Sequence, residues 1–261
     1  MNKNFHAEMQ REPVGLFSSG FICFAHRGAS GHEPENTLLA VEKAAAMGAP
    51  WIEIDVFAVE DELVVIHDER LETTTNGTGY VMRRSLAYLR SLDAGKGQKI
   101  PLLREVLELT KGRMGVNVEL KGPETAAPIV KLIDEYEASR GMYGGRILVS
   151  SFHHRELDKV RSLNPDIPIG ALGFGLPPAH ARFAQDLGAV SVHTGLSLVN
   201  QAFVDDAHRR GLKVFVYTVN HPDDLRRVRA MGVDGVFTNY PELVLSANYE
   251  KRQNAPLCER V

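Results

Sequence analysis

The feature that most constrains the fold of this chain is a repeated alternation of short apolar runs with amphipathic segments between residues 21 and 245. Apart from a hairpin return at 63–67, runs typical of parallel strands begin at eight places, near residues 21, 51, 115, 146, 167, 189, 213 and 234. A helical segment follows each of these runs except the last. Eight strand–helix units in about 230 residues predict a TIM (β/α)8 barrel. An open, doubly wound sheet is the alternative, but no glycine-rich dinucleotide motif follows the first strand.

Length and residue order predict a single domain. The barrel is expected to span residues 21–247 of the 261. Within it, residues 68–100 are rich in turn-forming residues and contain one short helical piece, which predicts a small inserted cap after the second-strand hairpin. Polar tails are expected at 1–20 and 248–261.

The composition is that of an ordinary globular protein, with 44% hydrophobic and 24% charged residues. The net charge of −3 gives no reason to expect nucleic acid as a partner. Cys23 and Cys258 do not make a disulfide framework, so a reducing compartment is expected. Neither a signal peptide nor a membrane span is evident, and we expect a cytoplasmic protein. The sequence does not indicate its oligomeric state.

The first strand ends in chemically active residues. A short apolar run at 21–25 stops at His26 and Arg27, and a loop rich in Gly, Ser and Pro follows. Either Asn36 or Thr37 is expected to cap the helix that comes next. In α/β proteins ligands collect where strands end, so a base and a fixed cation at this point indicate a site.

The second strand carries two carboxylates on one face. Strand periodicity places Glu53 and Asp55 on the same side, about 7 Å apart along the chain. Inward-facing carboxylates need a cation, whereas a solvated polar face is the alternative. Only about six residues separate this strand from the next apolar run, which predicts an antiparallel hairpin. A turn centred on Asp61 would place His67 opposite Asp55.

The segment GVNVELKG adds a third carboxylate, Glu119, and a second cation, Lys121, at another strand end. In a TIM barrel all of these strand ends meet on one face. Three carboxylates without sulfur ligands suit Mg²⁺ or Ca²⁺, and arginine beside lysine suits a phosphate. Two histidines can then divide proton removal and proton donation. The combination predicts phosphoryl transfer to an alcohol or water.

At these residues the chain resembles the glycerophosphodiester phosphodiesterase family. The resemblance rests on HRGASGHEPENT, IEIDV, VVIHD and VELK in this order, and TTTNG, PLLREVLEL, VSSF, YTVN and GVFTNYP support it. It covers nearly all of residues 21–245. It implies a TIM barrel that hydrolyses small glycerophosphodiesters to glycerol 3-phosphate and an alcohol, through attack of the substrate's own 2-hydroxyl and a cyclic phosphate.

The resemblance also implies roles for single residues. His26 and His67 would form the acid–base pair, with the order of their roles left open. The divalent cation would be held by three carboxylates, Glu53, Asp55 and Glu119. Phosphate oxygens would be bound by Arg27 and Lys121, and Tyr217 would offer an aromatic wall.

Three positions depart from the family pattern. Thr73 stands where the family usually has arginine, Tyr217 where it has tryptophan, and Asn239 where it has aspartate. None of them belongs to the set of histidines, carboxylates and cations. Two residues outside that set, Ser151 and His193, are left open as pocket residues or structural residues.

Two other functions remain compatible with the sequence. One is a lysophospholipase D-like enzyme acting on lipid-linked diesters, although no amphipathic membrane helix is evident. The other is a non-catalytic barrel that binds phosphodiesters, which would be expected to have lost some of the catalytic residues. The alcohol half of the substrate and the choice between Mg²⁺ and Ca²⁺ are not set by the sequence.

Overall fold

The structure is a computed structural model that describes residues 16–17, 20–140, 146–173, 175 and 180–246. Most of the two predicted tails lies outside these residues. In the described part of the chain, no helix has both the length and the apolar character needed to cross a membrane.

Among the described residues, nine strands form one sheet. In chain order they are β1 Ile22–His26, β2 Trp51–Val59, β3 Glu62–Val65, β4 Gly115–Leu120, β5 Ile147–Ser151, β6 Ile169–Leu172, β7 Ser191–Gly195, β8 Lys213–Tyr217 and β9 Gly235–Thr238. The helices are α1 Leu38–Ala46, α2 Leu86–Ser91, α3 Leu103–Thr110, α4 Ala126–Arg140, α5 His154–Leu163, α6 Arg182–Asp186, α7 Gln201–Arg209 and α8 Pro222–Ala230.

Eight of the strands are parallel and close into a barrel. Their order around it is β1, β2, β4, β5, β6, β7, β8 and β9, and β9 pairs again with β1. The ninth, β3, pairs antiparallel with the outer part of β2. The predicted TIM barrel is therefore confirmed. Because all eight parallel strands run the same way, their carboxyl ends share one end of the barrel.

The hairpin register differs from the prediction by one residue. Val56 lies opposite Val65, and the Ile66 amide donates to the Asp55 carbonyl at 3.0 Å. The turn consists of two residues, Glu60 and Asp61, both with positive φ, so its centre falls between them rather than on Asp61. In this register Ile66 takes the place opposite Asp55, and His67 lies one residue further on, beyond the end of β3.

The barrel interior is aromatic in its lower half, the half at the amino ends of the strands. Phe24 packs there against both Trp51 and Phe215. Phe17 lies against all three rings, with centroid distances of 5.1–6.5 Å. Phe17 is buried, as is Leu16, so the predicted domain boundary at residue 21 leaves out two residues that pack against the barrel.

Between β3 and α3 the chain forms the segment predicted as a cap. It contains two single-turn 3₁₀ helices, Leu71–Thr73 and Val81–Arg83, followed by α2. Its buried residues Leu71, Val81 and Leu89 pack in a small core with Phe57 and Ile66 of the hairpin. The cap is thus anchored on the same hairpin that leads to His67.

Candidate active site

A cavity of about 120 Å³ lies at the carboxyl ends of the barrel strands. It is lined by residues from most of these strands and from the loops that follow them: His26, Arg27, Glu53, His67, Glu119, Lys121, Phe152, Leu172, His193, Tyr217, Thr218 and Phe237. Every predicted site residue lies in this lining except Asp55. The side chain of Asp55 is buried just behind the lining, where it contacts Arg27 and Lys121.

The three predicted carboxylates form one cluster. Glu53, Asp55 and Glu119 each offer an oxygen, and the three oxygens lie within 4.8 Å of one another. Parallel pairing brings Asp55 of β2 beside Glu119 of β4, and β2 periodicity places Glu53 on the same inner face. The Oε1 atom of Glu53 is buried and has no hydrogen-bond partner among the described residues. An oxygen-only set with a buried, unsatisfied carboxylate oxygen fits a hard divalent cation.

Mutual repulsion and burial affect the cluster's protonation. Burial, with the charges of Asp55 and Glu119, raises the pKa of Glu53 well above its usual value. Burial and Asp55 raise the pKa of Glu119 to about 7. Burial also acts to raise the pKa of Asp55, but the charges of Lys121 and Arg27 outweigh it and hold that pKa below its usual value. Such opposed shifts within one cleft are typical of functional sites.

Two cations flank the cluster. Lys121 Nζ lies 2.8 Å from Glu119 Oε1 and 3.7 Å from Asp55 Oδ1. Arg27 Nε lies 3.3 Å from Asp55 Oδ2, while its Nη1 donates to Glu35 Oε1 at 2.9 Å. Both cations line the cavity, so they can bind an anion there while they remain paired with carboxylates.

His26 is held by a neutral partner. Its Nδ1 donates to Oδ1 of Asn239 at 2.7 Å, and its Nε2 lies 3.8 Å from Glu53 Oε2. Burial, followed by the neighbouring charge of Arg27, lowers the pKa of His26 to about 4. The ring is therefore neutral near pH 7, and its Nε2 carries a free lone pair.

His67 is held by a charged partner. Its Nδ1 donates to Oδ1 of Asp68 at 2.7 Å. The two histidines that line the cavity near the carboxylates thus differ in their partners, an amide for one and a carboxylate for the other. A carboxylate can support a positive charge on an imidazole by a charge-assisted hydrogen bond.

The two candidate caps of α1 have separate functions. Thr37 caps the helix, since its Oγ1 accepts from the Ala40 amide at 3.2 Å. Asn36 instead binds Asp55 twice, because its Nδ2 donates to Asp55 Oδ2 at 2.9 Å and its Oδ1 accepts from the Asp55 amide at 3.2 Å. This contact to the carboxylate cluster escaped the sequence prediction, which considered Asn36 only as a cap.

One wall of the cavity is apolar. Tyr217 lies in this wall, in edge contact with Phe152 at a ring-centroid distance of 6.1 Å. Leu172 and Phe237 also line the cavity and carry no chemical signature that sequence reasoning could detect. Of the two residues left open, His193 lines the cavity, whereas Ser151 is not in the lining and donates to the Leu120 carbonyl at 2.6 Å.

The sequence of this chain is similar to those of known proteins. The model of the glycerophosphoryl diester phosphodiesterase family matches residues 26–243. A glycerophosphodiester phosphodiesterase of Caldanaerobacter subterraneus subsp. tengcongensis is 36% identical over 241 residues, which cover 86% of this chain and 96% of that protein. One from Bacillus subtilis is 36% identical over 263 residues, covering 88% and 90%.

One solved structure is similar to this chain in both fold and sequence. The phosphodiesterase of Oleispira antarctica, in complex with the product sn-glycerol-3-phosphate, superimposes with a TM-score of 0.79 at 30% identity. The match covers 87% of this chain and 96% of that one. The chain therefore belongs to the glycerophosphoryl diester phosphodiesterase family, whose members are phosphoric diester hydrolases.

Proposed function

We propose that this chain is a metal-dependent enzyme that hydrolyses small glycerophosphodiesters to glycerol 3-phosphate and an alcohol. The observation that carries the proposal is one cavity lined by two cations, by His26 and His67, and by two carboxylates of a three-carboxylate cluster whose third member, Asp55, lies just behind the lining. Family membership supports the reaction class.

Glu53, Asp55 and Glu119 would hold the divalent cation, either Mg²⁺ or Ca²⁺. When bound, the cation supplies charge neutralisation for the phosphodiester and for the developing alkoxide. The positions of Arg27 and Lys121 support a role in binding the phosphate oxygens, since both line the cavity beside the carboxylates.

The two imidazoles would act in sequence. His26 is neutral and its Nδ1–H is engaged by Asn239, so its Nε2 can take the proton from the glycerol 2-hydroxyl as that oxygen attacks phosphorus. His67, paired with Asp68, would donate a proton to the leaving alcohol oxygen. The product of this step is a cyclic phosphate. Water then opens it, with the proton transfers reversed, and glycerol 3-phosphate is released.

The direct test measures glycerol 3-phosphate released from glycerophosphocholine and glycerophosphoethanolamine with Mg²⁺, with Ca²⁺ and with EDTA. We expect release with a divalent cation and loss of release with EDTA. His26→Ala and His67→Ala should each lower turnover by about 100-fold or more while the circular dichroism spectrum stays unchanged. Near-normal turnover in either variant would remove that histidine from its role. A lack of release with both cations would contradict the proposed substrate class.

A cytoplasmic location belongs to the same proposal. It is supported by Cys23, a buried cysteine that forms no disulfide among the described residues, as expected in a reducing compartment. Fractionation of cells that produce the protein, followed by the glycerol 3-phosphate assay on each fraction, tests it.

A further inference from the structure

His193 lies at the floor of the cavity with one ring nitrogen unused. The residue is 1% exposed, and its Nε2 is 3.0 Å from Ser191 Oγ. Its Nδ1 is buried and has no hydrogen-bond partner among the described residues. A buried polar atom without a partner costs about 1–3 kcal/mol, so a native site that contains one calls for a partner.

The His193 ring is held firmly in this place. It packs between Phe215 and Phe237, with centroid distances of 5.5 and 5.1 Å. It also lies over Gly170 of the neighbouring strand, where an added Cβ would be only 2.6 Å from Nε2. Gly170 thus leaves the room that the ring occupies, and the ring cannot easily turn its Nδ1 elsewhere.

The surroundings define the chemistry of the missing partner. Because burial lowers the pKa of His193 to about 3, the ring is neutral near pH 7. A neutral Nδ1 either donates or accepts one hydrogen bond, according to the tautomer. A hydroxyl group satisfies it in both cases, whereas a phosphate oxygen can only accept. The group that reaches His193 is therefore best matched by an alcohol.

The position of His193 in the barrel indicates which hydroxyl group of the bound molecule can reach it. β7 lies opposite β2, since three strands separate the two in either direction around the barrel. A molecule that reacts at the carboxylate cluster on β2 and β4 and also reaches His193 must cross the cavity. The lower half of the barrel is closed by aromatic rings, so only a short terminal group can reach the floor.

Building on the proposed function, we infer that Nδ1 of His193 binds the distal primary hydroxyl of the glycerol unit. This is the hydroxyl that takes no part in the chemistry. His193 is then a specificity residue that recognises the glycerol half shared by all substrates, while the variable alcohol faces the open end of the cavity.

The test compares two diesters, glycerophosphocholine and its analogue in which propane-1,2-diol replaces glycerol. The analogue keeps the attacking hydroxyl and lacks only the distal one. The measured quantity is the ratio of kcat/KM for the glycerol diester to kcat/KM for the analogue. In the wild type we expect a ratio of about 10–100, because the analogue leaves a buried nitrogen unpaired.

In His193→Phe the ratio should fall towards 1, mainly because the glycerol diester becomes a poorer substrate. His193→Gln, which restores a polar group, should recover part of the ratio. The matched control is Ser150→Ala, because Ser150 is also a buried polar residue of the barrel interior but does not line the cavity. It should keep the wild-type ratio.

A wild-type ratio near 1, or an unchanged ratio in a folded His193→Phe variant, would overturn the inference while the proposed function stands. The wild-type ratio and the Gln variant decide the matter even if the Phe variant fails to fold. Absence of turnover of both diesters by the wild type would instead overturn the proposed function, and this inference with it.

Discussion

At the scale of single residues, the bond between His26 and Asn239 has a clear chemical consequence. Asn239 Oδ1 can only accept, so the His26 proton is fixed on Nδ1 and the lone pair on Nε2 faces Glu53 and the cavity. The backbone of Asn239 is held in place as well, because its backbone N–H donates to Asn220 Oδ1 at 2.9 Å. The side-chain amide of Asn239 therefore orients the His26 imidazole.

Removing this contact should impair turnover rather than binding. In Asn239→Ala the His26 ring loses the hydrogen bond at Nδ1 that orients it, and we expect kcat to fall about 10-fold or more with KM little changed. Asn239→Asp keeps the acceptor and should retain most of the activity. Steady-state kinetics of both variants checks the expectation. Asn164→Ala serves as the control, since Asn164 binds Asp134 on the exposed surface. Unchanged kcat in Asn239→Ala would contradict an orienting role.

His193 should make the fold sensitive to acid. Burial lowers its pKa to about 3, whereas an unfolded histidine titrates near 6.5. Between these values the unfolded chain binds a proton that the folded chain does not, so stability falls as pH falls from about 6.5 towards 3. At pH 5 this amounts to about 2 kcal/mol relative to pH 7.

His193→Gln removes this titration, and we expect its free energy of unfolding to drop less between pH 7 and pH 5 than that of the wild type. Urea denaturation at the two pH values gives the comparison. The same pH-dependent loss in both proteins would show that His193 is not the source.

At the scale of elements, the sequence predicted more about where strands lie than about how they are joined. Apolar runs located all eight parallel strands within two residues of their observed starts, because burial on both faces leaves an unmistakable pattern. The β2–β3 register was predicted one residue off, since two consecutive residues with positive φ are not evident in Glu60-Asp61. His67 still reaches the cavity because the chain bends out of the ladder after β3.

The N-cap of α1 is a second local detail that the sequence pattern did not decide. Both Asn36 and Thr37 are good capping residues, and periodicity could not separate them. The structure separates them through Asp55, which engages Asn36 from another strand. A long-range contact of this kind is not visible in a local pattern.

The N-cap that Thr37 provides for α1 should contribute measurably to the stability of the protein. Thr37→Ala removes the bond to the Ala40 amide and also the Thr37 hydroxyl bond to the Pro34 carbonyl, so we expect a loss of about 1–2 kcal/mol in the free energy of unfolding. Thr37→Ser keeps both bonds and should stay within about 0.5 kcal/mol of the wild type. Chemical denaturation of the pair measures the difference. Equal losses in the two variants would assign the effect to the methyl group instead of the cap.

At the scale of the whole molecule, the two ends of the barrel differ in residue type, since one end is polar and the other is aromatic. The polar residues predicted as the site gather at the carboxyl ends, as the topology requires once eight parallel strands are accepted. The aromatic layer at the other end was not predicted, since Phe17 stands outside the alternating pattern and its partners come from three separate strands. Sequence reasoning therefore predicted the positions of these polar residues better than it predicted the aromatic packing.

The separation of the two ends predicts separate effects of mutation. Phe17→Ala removes a buried ring that packs on Phe24, Trp51 and Phe215, so we expect a loss of about 3 kcal/mol in stability. Turnover at 25 °C should remain within about twofold, because the cavity lies at the opposite end. Thermal denaturation and kinetics measured on one preparation test both parts. Leu163→Ala, at an exposed site, should change neither quantity.

The closed aromatic end also determines where substrate can enter the barrel and where products can leave it. In the described part of the chain, aromatic side chains close this end of the barrel and the cavity lies at the other end, so we expect the substrate to enter and both products to leave at the carboxyl ends of the strands. In the proposed reaction the alcohol would lie nearer the open end and would leave first, and water would then take its place and open the cyclic phosphate. Glycerol 3-phosphate, bound deeper, would leave last and would keep a new diester out while it stays. We therefore expect the enzyme to be inhibited by glycerol 3-phosphate as this product accumulates.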